Sequence, residues 1–180
     1  HRIIHKAKVR DRVVHHAVYR ILAPIFERSF IYDSYSCRVG KGTHAAVDRL
    51  EYFLRRVSHG YTQPCWALKC DIRKFFGSID RATLTKLIEE KVSDQNVLRL
   101  LHDITNSFVV VDYLVERERE RELQGIPIGN LTSQLFANVY MNPFDHYVKE
   151  VLRVKYYLRY TDDFIMVYQG DWLFFRIHVS

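Results

Sequence analysis

Residues 154–168 read Val154-Lys155-Tyr156-Tyr157-Leu158-Arg159-Tyr160-Thr161-Asp162-Asp163-Phe164-Ile165-Met166-Val167-Tyr168. Aromatic and branched side chains over 154–160 and 164–168 favour two short strands. A tight turn at 161–163 joins them. A hairpin turn prefers Asn-Gly or Asp-Gly, and two adjacent carboxylates there repel each other. Two acids at the tip of an otherwise apolar hairpin suggest a divalent cation, with a solvated acidic turn as the alternative. Strand alternation puts Asp162 and Asp163 on opposite faces, so at most one is expected to point straight into a shared site.

Outward from the hairpin, a second stretch has the same character: Leu68-Lys69-Cys70-Asp71-Ile72-Arg73-Lys74-Phe75-Phe76. Trp66 to Ile72 reads as a buried strand that runs into Asp71. A carboxylate at the end of a buried strand is costly unless it is paired or metal-bound. The alternative is a helix cap or a salt bridge to Arg73 or Lys74. A third stretch, Gly125-Ile126-Pro127-Ile128-Gly129-Asn130-Leu131-Thr132-Ser133-Gln134, places small residues before a helix, where a flat ligand can approach closely. Alone, it reads equally as a loop with a Ser or Thr cap. Hard oxygen ligands from two separate strands suit Mg²⁺. A pair of such ions about 3.5–4 Å apart serves in-line phosphoryl transfer in polymerases and nucleases.

The remaining elements frame these stretches. Val14, Ala17, Val18, Ile21, Leu22 and Ile25 repeat with a helical period over 11–28, and Pro24 is expected to end or kink that helix near Ala23. Residues 30–43 read as a loop and 44–57 as a helix. Asp80 caps a helix over 81–92, and Ser93 or Asp94 caps another over 95–106. Residues 108–115 are strand-like, and Glu116 to Glu122 alternates in charge as a solvated hairpin arm. A helix follows over about 132–150. The order predicts an antiparallel or mixed sheet with helices on one face, an α+β layout.

The chain has 180 residues, enough for one domain with a real core. It is 48% hydrophobic and 27% charged, which excludes long disorder and low-complexity classes. No apolar run approaches the roughly 20 residues of a spanning helix. Net charge is +6 and uneven: residues 1–60 hold 12 Lys and Arg against 5 Asp and Glu, the rest 15 against 16. A basic first third suggests a polyanionic partner. The three cysteines, Cys37, Cys65 and Cys70, form no C-x-x-C, which argues against a disulfide scaffold and for a reducing compartment. The nine histidines show no metal spacing, and His15 and His16 point to different faces of their helix. The first residue is His, so the chain is read as trimmed at its start.

With these residues in place, a family resemblance emerges. Asp71-x-x-x-Phe75-Phe76, Gly129-Asn130-Leu131-Thr132-Ser133-Gln134 and Tyr160-Thr161-Asp162-Asp163 resemble, in order and spacing, the three palm motifs of reverse transcriptases. The segments Arg10 to Ala17 and Ser34 to His44 resemble the fingers of bacterial retroelement enzymes related to group II intron maturases. In most such enzymes the middle motif is similar to Gln-Gly-x-x-x-Ser-Pro. Its replacement by Ile128-Gly129 through Ser133-Gln134 resembles the enzymes of diversity-generating retroelements, which copy a template RNA with frequent errors at adenines. The resemblance spans roughly residues 2–168; a thumb and the later palm motifs are not seen, so the chain reads as a fragment or as one with an altered end.

The resemblance implies an α+β right-hand polymerase with fingers over 1–65, palm over 66–170 and an unassigned tail over 171–180. It implies an RNA-directed DNA polymerase that adds deoxynucleotides to a primer 3′-hydroxyl. Asp71, Asp162 and Asp163 would hold two Mg²⁺ ions, with Mn²⁺ as a substitute. Phe76 would sit under the sugar and exclude a ribose 2′-hydroxyl. Arg2, Arg38 and Lys41 are the triphosphate candidates, and Gly129 and Gln134 would also line the nucleotide. Ile128 and Gln134 are assigned to fidelity. Implied partners are an RNA template, a DNA primer, deoxynucleoside triphosphates and an accessory protein of the retroelement, with no membrane and a cytoplasmic, prokaryotic or phage-encoded setting. Alternatives are a group II intron, retron or defence-associated reverse transcriptase, and a non-catalytic RNA-binding fragment.

Overall fold

A computed structural model describes residues 8–107 and 124–170. The expected strand over 108–115, the charged arm over 116–122, Arg2 and the tail over 171–180 lie outside the described residues. The chain forms two compact units, each built from two stretches. One draws on the chain up to Phe30 and on Arg73–Met141. The other draws on Ile31–Ile72 and the chain from Asn142 onward.

The first unit is helical. Helix α1 (Val9–Glu27) buries His15, Val18, Leu22 and Phe26. Pro24 does not end it near Ala23: the helix runs on to Glu27, because Leu22 and Phe26 anchor its last turn in the core. A short turn, α3 (Phe75–Ser78), leads to α4 (Arg81–Glu89) and α5 (Gln95–Asn106). Both later helices start at an aspartate, as expected. Asp80 accepts from Thr83 N, and Asp94 accepts from Asn96 N and Val97 N. Buried Arg81 donates through Nε to Gly125 O at 2.7 Å, fixing the segment that precedes α6 (Leu131–His146).

The second unit carries the sheet. Strands β1 (Trp66–Asp71), β2 (Tyr157–Tyr160) and β3 (Asp163–Tyr168) form an antiparallel sheet in the order β1-β3-β2. The α+β layout is therefore as expected. Helix α2 (Thr43–Val57) covers one face, with Ala46, Phe53 and Val57 against Leu158 and Val167. Helical cover also reaches the second face, beyond the single face expected. There Val148, in a π-helical turn over Tyr147–Val151, joins Phe144, Tyr157, Phe164 and Met166. Alternation puts successive strand residues on opposite faces, so the apolar runs of β2 and β3 serve both.

β1 is not the buried strand its composition suggested. Trp66, Ala67, Lys69 and Asp71 are exposed. Among the described residues, the strand sits at the sheet edge, with β3 as its one neighbour.

Candidate functional site

The hairpin tip is built by an unusual turn. Tyr160 and Asp163 are the last paired residues, which leaves Thr161 and Asp162 as a two-residue loop. Such loops require positive φ at the first central position, normally supplied by Gly or Asn. Here Thr161 takes that place at φ 58°. A β-branched residue in the left-handed region is a genuine outlier, because its Cβ substituents crowd the backbone.

This geometry brings the acids together. Asp71 pairs with Asp163 across the β1–β3 ladder. One carboxylate oxygen from each of Asp71, Asp162 and Asp163 lies within 4.8 Å of the other two. The expectation that only one turn acid could face a shared site is thus corrected. Asp162 belongs to the turn, not to β3, so strand alternation does not govern its direction. Lys69, two residues before Asp71 on the same face, lies 3.4 Å from Asp163 Oδ1. Both partners are open to solvent, so that pair is weak.

Three partly exposed carboxylates at this separation suit a divalent cation. They offer hard oxygen donors, and their exposure leaves room for water and phosphate oxygens in the remaining shell. The alternative of a solvated acidic turn does not account for a third acid arriving from another strand.

Beneath the turn lies a buried polar network that sequence reasoning missed. Arg159 and Asp145 are both fully buried and paired at 2.7 Å. Tyr157 Oη donates to Asp145 Oδ1 at 2.6 Å. Burial and the adjacent Asp145 carboxylate push the Tyr157 hydroxyl far up, so it stays protonated and donates. Arg159 Nη1 donates to Thr161 O at 2.8 Å, directly under the acid-bearing turn. Nothing in local sequence marks this set. Arg159 in a strand reads as solvent-facing, and Asp145 lies 14 residues away on a helix.

The other candidates fall in different places. Arg38 donates from Nη1 to Ile31 O and Ser34 O, each at 2.7 Å. Lys41 donates from Nζ to Tyr32 O at 2.9 Å and lies 3.4 Å above the Tyr32 ring. Both cations therefore brace the loop that carries them. Asp33, in the same loop, is buried between Arg49 at 2.8 Å and Lys149 at 3.1 Å.

Phe76, Ile128, Gly129 and Gln134 belong to the helical unit. Phe76 is half-buried, with its ring edge-on to Phe75 at 5.3 Å. Its carbonyl accepts from Ile126 N at 2.9 Å, so the Phe76 turn and the segment leading to Ile128 are joined. Gly129 takes φ 106°, a conformation that disfavours any side chain. His15 Nδ1 lies 2.8 Å from Thr132 Oγ1, both buried, while His16 is exposed, as the different helix faces required. Asn130 Oδ1 and Ser133 Oγ are buried without a hydrogen-bond partner among the described residues.

Comparison with known proteins identifies the family. Residues 1–172 match the family described as Reverse transcriptase (RNA-dependent DNA polymerase). The chain belongs to the reverse transcriptase family. The Group II intron-encoded protein LtrA of Lactococcus lactis is 28% identical over 146 residues, covering 81% of this chain and 22% of LtrA. Protein YkfC of Escherichia coli is 28% identical over 142 residues, 79% of this chain and 36% of that protein. This reverse transcriptase chain thus spans well under half the length of these relatives. Among solved structures, apo telomerase from Candida tropicalis superposes with a TM-score of 0.60 at 13% identity, covering 92% of this chain and 35% of the telomerase chain. That likeness supports the reverse transcriptase fold. Among the described residues, no helix is long and apolar enough to cross a membrane.

Proposed function

We propose that this chain is the catalytic part of an RNA-directed DNA polymerase, which extends a DNA primer on an RNA template with deoxynucleoside triphosphates. The observation that carries this reading is the convergence of Asp71, Asp162 and Asp163 in a chain of the reverse transcriptase family. Asp71 and Asp162 are the principal ligands for a pair of Mg²⁺ ions, with Asp163 in a lesser role and Mn²⁺ as a substitute. When bound, such ions supply Lewis-acid activation of the primer hydroxyl and neutralise charge on the phosphates.

The chain's own residues position the substrates. Arg38 and Lys41, with Arg2, are assigned to the triphosphate. The loop contacts of Arg38 and Lys41 hold those side chains in place. Phe76 is the candidate sugar gate, and Gly129 and Gln134 line the nucleotide. In domain terms, residues 1–65 act as fingers, 66–170 as palm and 171–180 as a tail. The setting is cytoplasmic, and an accessory protein of the parent element is a further partner.

Two subclasses fit. The Ile128-Gly129 through Ser133-Gln134 segment supports the error-prone enzyme of a diversity-generating retroelement. The similarity to LtrA supports an intron-encoded enzyme instead. We favour the first because Ile128 replaces a hydrogen-bonding residue inside a motif, whereas overall similarity is spread along the chain. The test is primer extension on RNA by the full-length protein with Mg²⁺. Extension should be lost in Asp162→Ala, since a metal ligand supplies several kcal/mol of transition-state stabilisation, on the order of a thousand-fold in rate or more. RNA binding without extension in the wild type would instead establish a non-catalytic RNA-binding module.

A further inference from the structure

The turn that carries Asp162 is held by two side-chain hydrogen bonds, one of them from an anchored arginine. Arg159 Nη1 donates to Thr161 O at 2.8 Å. Thr161 Oγ1 donates to Ser36 Oγ at 2.6 Å. Arg159 Nη2 donates to Ser34 Oγ at 3.3 Å and to Asp145 Oδ2 at 2.7 Å. The backbone repeats the attachment, with Arg159 N donating to Asp33 O and Tyr35 N to Arg159 O, both at 2.9 Å. The loop over Asp33–Ser36 therefore runs beside β2 as an extra, short parallel partner.

This clamp has a task that folding alone does not require. Thr161 at φ 58° is strained, and strained backbone persists only where its surroundings over-determine it. The same turn must hold Asp162 near Asp163 and Asp71 against mutual repulsion. A fully buried charge pair is not needed for stability, because apolar groups of similar volume often serve as well or better. Arg159 also spends one guanidinium edge on a neutral carbonyl, where its fixed fork selects one turn geometry.

We propose that Arg159 is a positioning residue for the carboxylate site, aimed by Asp145 and Tyr157, and that it holds the Thr161–Asp162 turn in its cation-binding form. None of these three belongs to the carboxylate cluster itself. Partners that orient ligands without contacting the metal typically govern affinity by about 10- to 100-fold. This inference rests on the metal-site reading above.

The test measures Mn²⁺ binding by the full chain with electron paramagnetic resonance, beside thermal melting. The triple variant Asp145→Leu, Tyr157→Phe, Arg159→Met replaces the network with apolar groups. It should melt near the wild type yet bind Mn²⁺ about 10- to 100-fold more weakly. Arg159→Lys keeps the charge beside Asp145 but cannot bridge Asp145 and Thr161 O together, so it should also bind weakly. Ser36→Ala removes the Thr161 hydroxyl contact while leaving Arg159 in place, and should show a smaller loss in the same direction. Should the triple variant not fold, these two decide by the same criterion. Wild-type Mn²⁺ affinity in a folded triple or Arg159→Lys variant would overturn the positioning role. No Mn²⁺ binding by the wild type would instead overturn the metal site, and the positioning role with it.

Discussion

Asp71 and Asp163 stand directly opposite each other across the β1–β3 ladder, and Asp162 closes on both from the adjoining turn. Like charges directly opposite on antiparallel strands are destabilising, by about 0.2–1 kcal/mol for a pair. Lys69 offsets this only in part, because its ion pair with Asp163 is open to solvent. The cation-free protein is therefore expected to be less stable than the cation-bound one. Binding to the folded state alone stabilises by about 2.7 kcal/mol at a hundredfold excess over the dissociation constant. Melting temperature should rise with added Mg²⁺ in the wild type and stay flat in Asp162→Ala. In chelator, Asp163→Asn should melt slightly above the wild type, since it removes repulsion with two acids at the loss of one weak attraction. Calorimetry with and without Mg²⁺ checks both expectations.

A second prediction concerns pH. Burial depresses the His15 imidazole below its ordinary value of 6.5, with nearby Asp11 raising it and His16 lowering it further. The folded pKa is thus lower than the unfolded one, so between the two values the unfolded chain binds more protons. Stability rises with pH wherever that holds. The His15 contribution is complete above about pH 6.5 and is lost as pH falls through that value toward the folded pKa. His15→Gln keeps a hydrogen-bonding partner for Thr132 without titrating. Urea midpoints measured between about pH 7.5 and about pH 5.5 should fall further in the wild type than in this variant.

Much of this arrangement was legible in the sequence, and the failures have physical causes. The three carboxylates could be singled out because they stand in stretches whose order and spacing resemble reverse transcriptase motifs, whereas the burial cost argued for Asp71 does not apply on an exposed strand. The Asp80 and Asp94 caps were legible because capping depends on two or three local residues. The exposure of β1, an edge strand among the described residues, was not legible: strand order is fixed by distant pairing, and an apolar run does not reveal how many neighbours it has. That α1 continues past Pro24 rather than ending there, the first of the two outcomes expected, goes with the burial of Leu22 and Phe26 on either side of it. The direction of Asp162 turned on a positive φ at Thr161, which no threonine would announce. Arg159 and Asp145 meet only through tertiary packing, so neither residue alone signals the other.

Phe76 gives a third prediction. Its ring is half-buried against Phe75, and its backbone is tied to Ile126. A gate must keep its ring edge available to the sugar, and partial burial allows that. Phe76→Ala in the full-length protein should increase ribonucleotide use relative to deoxyribonucleotide use by about 10- to 200-fold, the span for a small steric difference in an apolar pocket. Single-nucleotide incorporation kinetics provide the ratio. An unchanged ratio would leave Phe76 as a packing residue of the helical unit.

The last prediction concerns accuracy. Ile128 is half-buried, Gly129 takes a positive φ, and α6 begins two residues later. A rigid approach to the helix is thus set by backbone, and the Ile128 side chain offers only apolar contact. Wrong base pairs are rejected solely by the difference in transition-state binding between right and wrong nucleotides. A hydrogen-bonding side chain at this position senses misplaced polar atoms, because a mismatch leaves its own groups unpaired. Isoleucine cannot sense them in this way. Ile128→Gln should therefore lower misincorporation opposite template adenine by about 1–3 kcal/mol of added discrimination, roughly 5- to 150-fold. The correct-nucleotide rate should hold, because Gly129 and the start of α6 keep the backbone in place. Sequencing of extension products from matched adenine-rich templates reads the error frequency directly. Normal extension with unchanged errors would detach this segment from fidelity and turn the choice of subclass toward an intron-encoded enzyme.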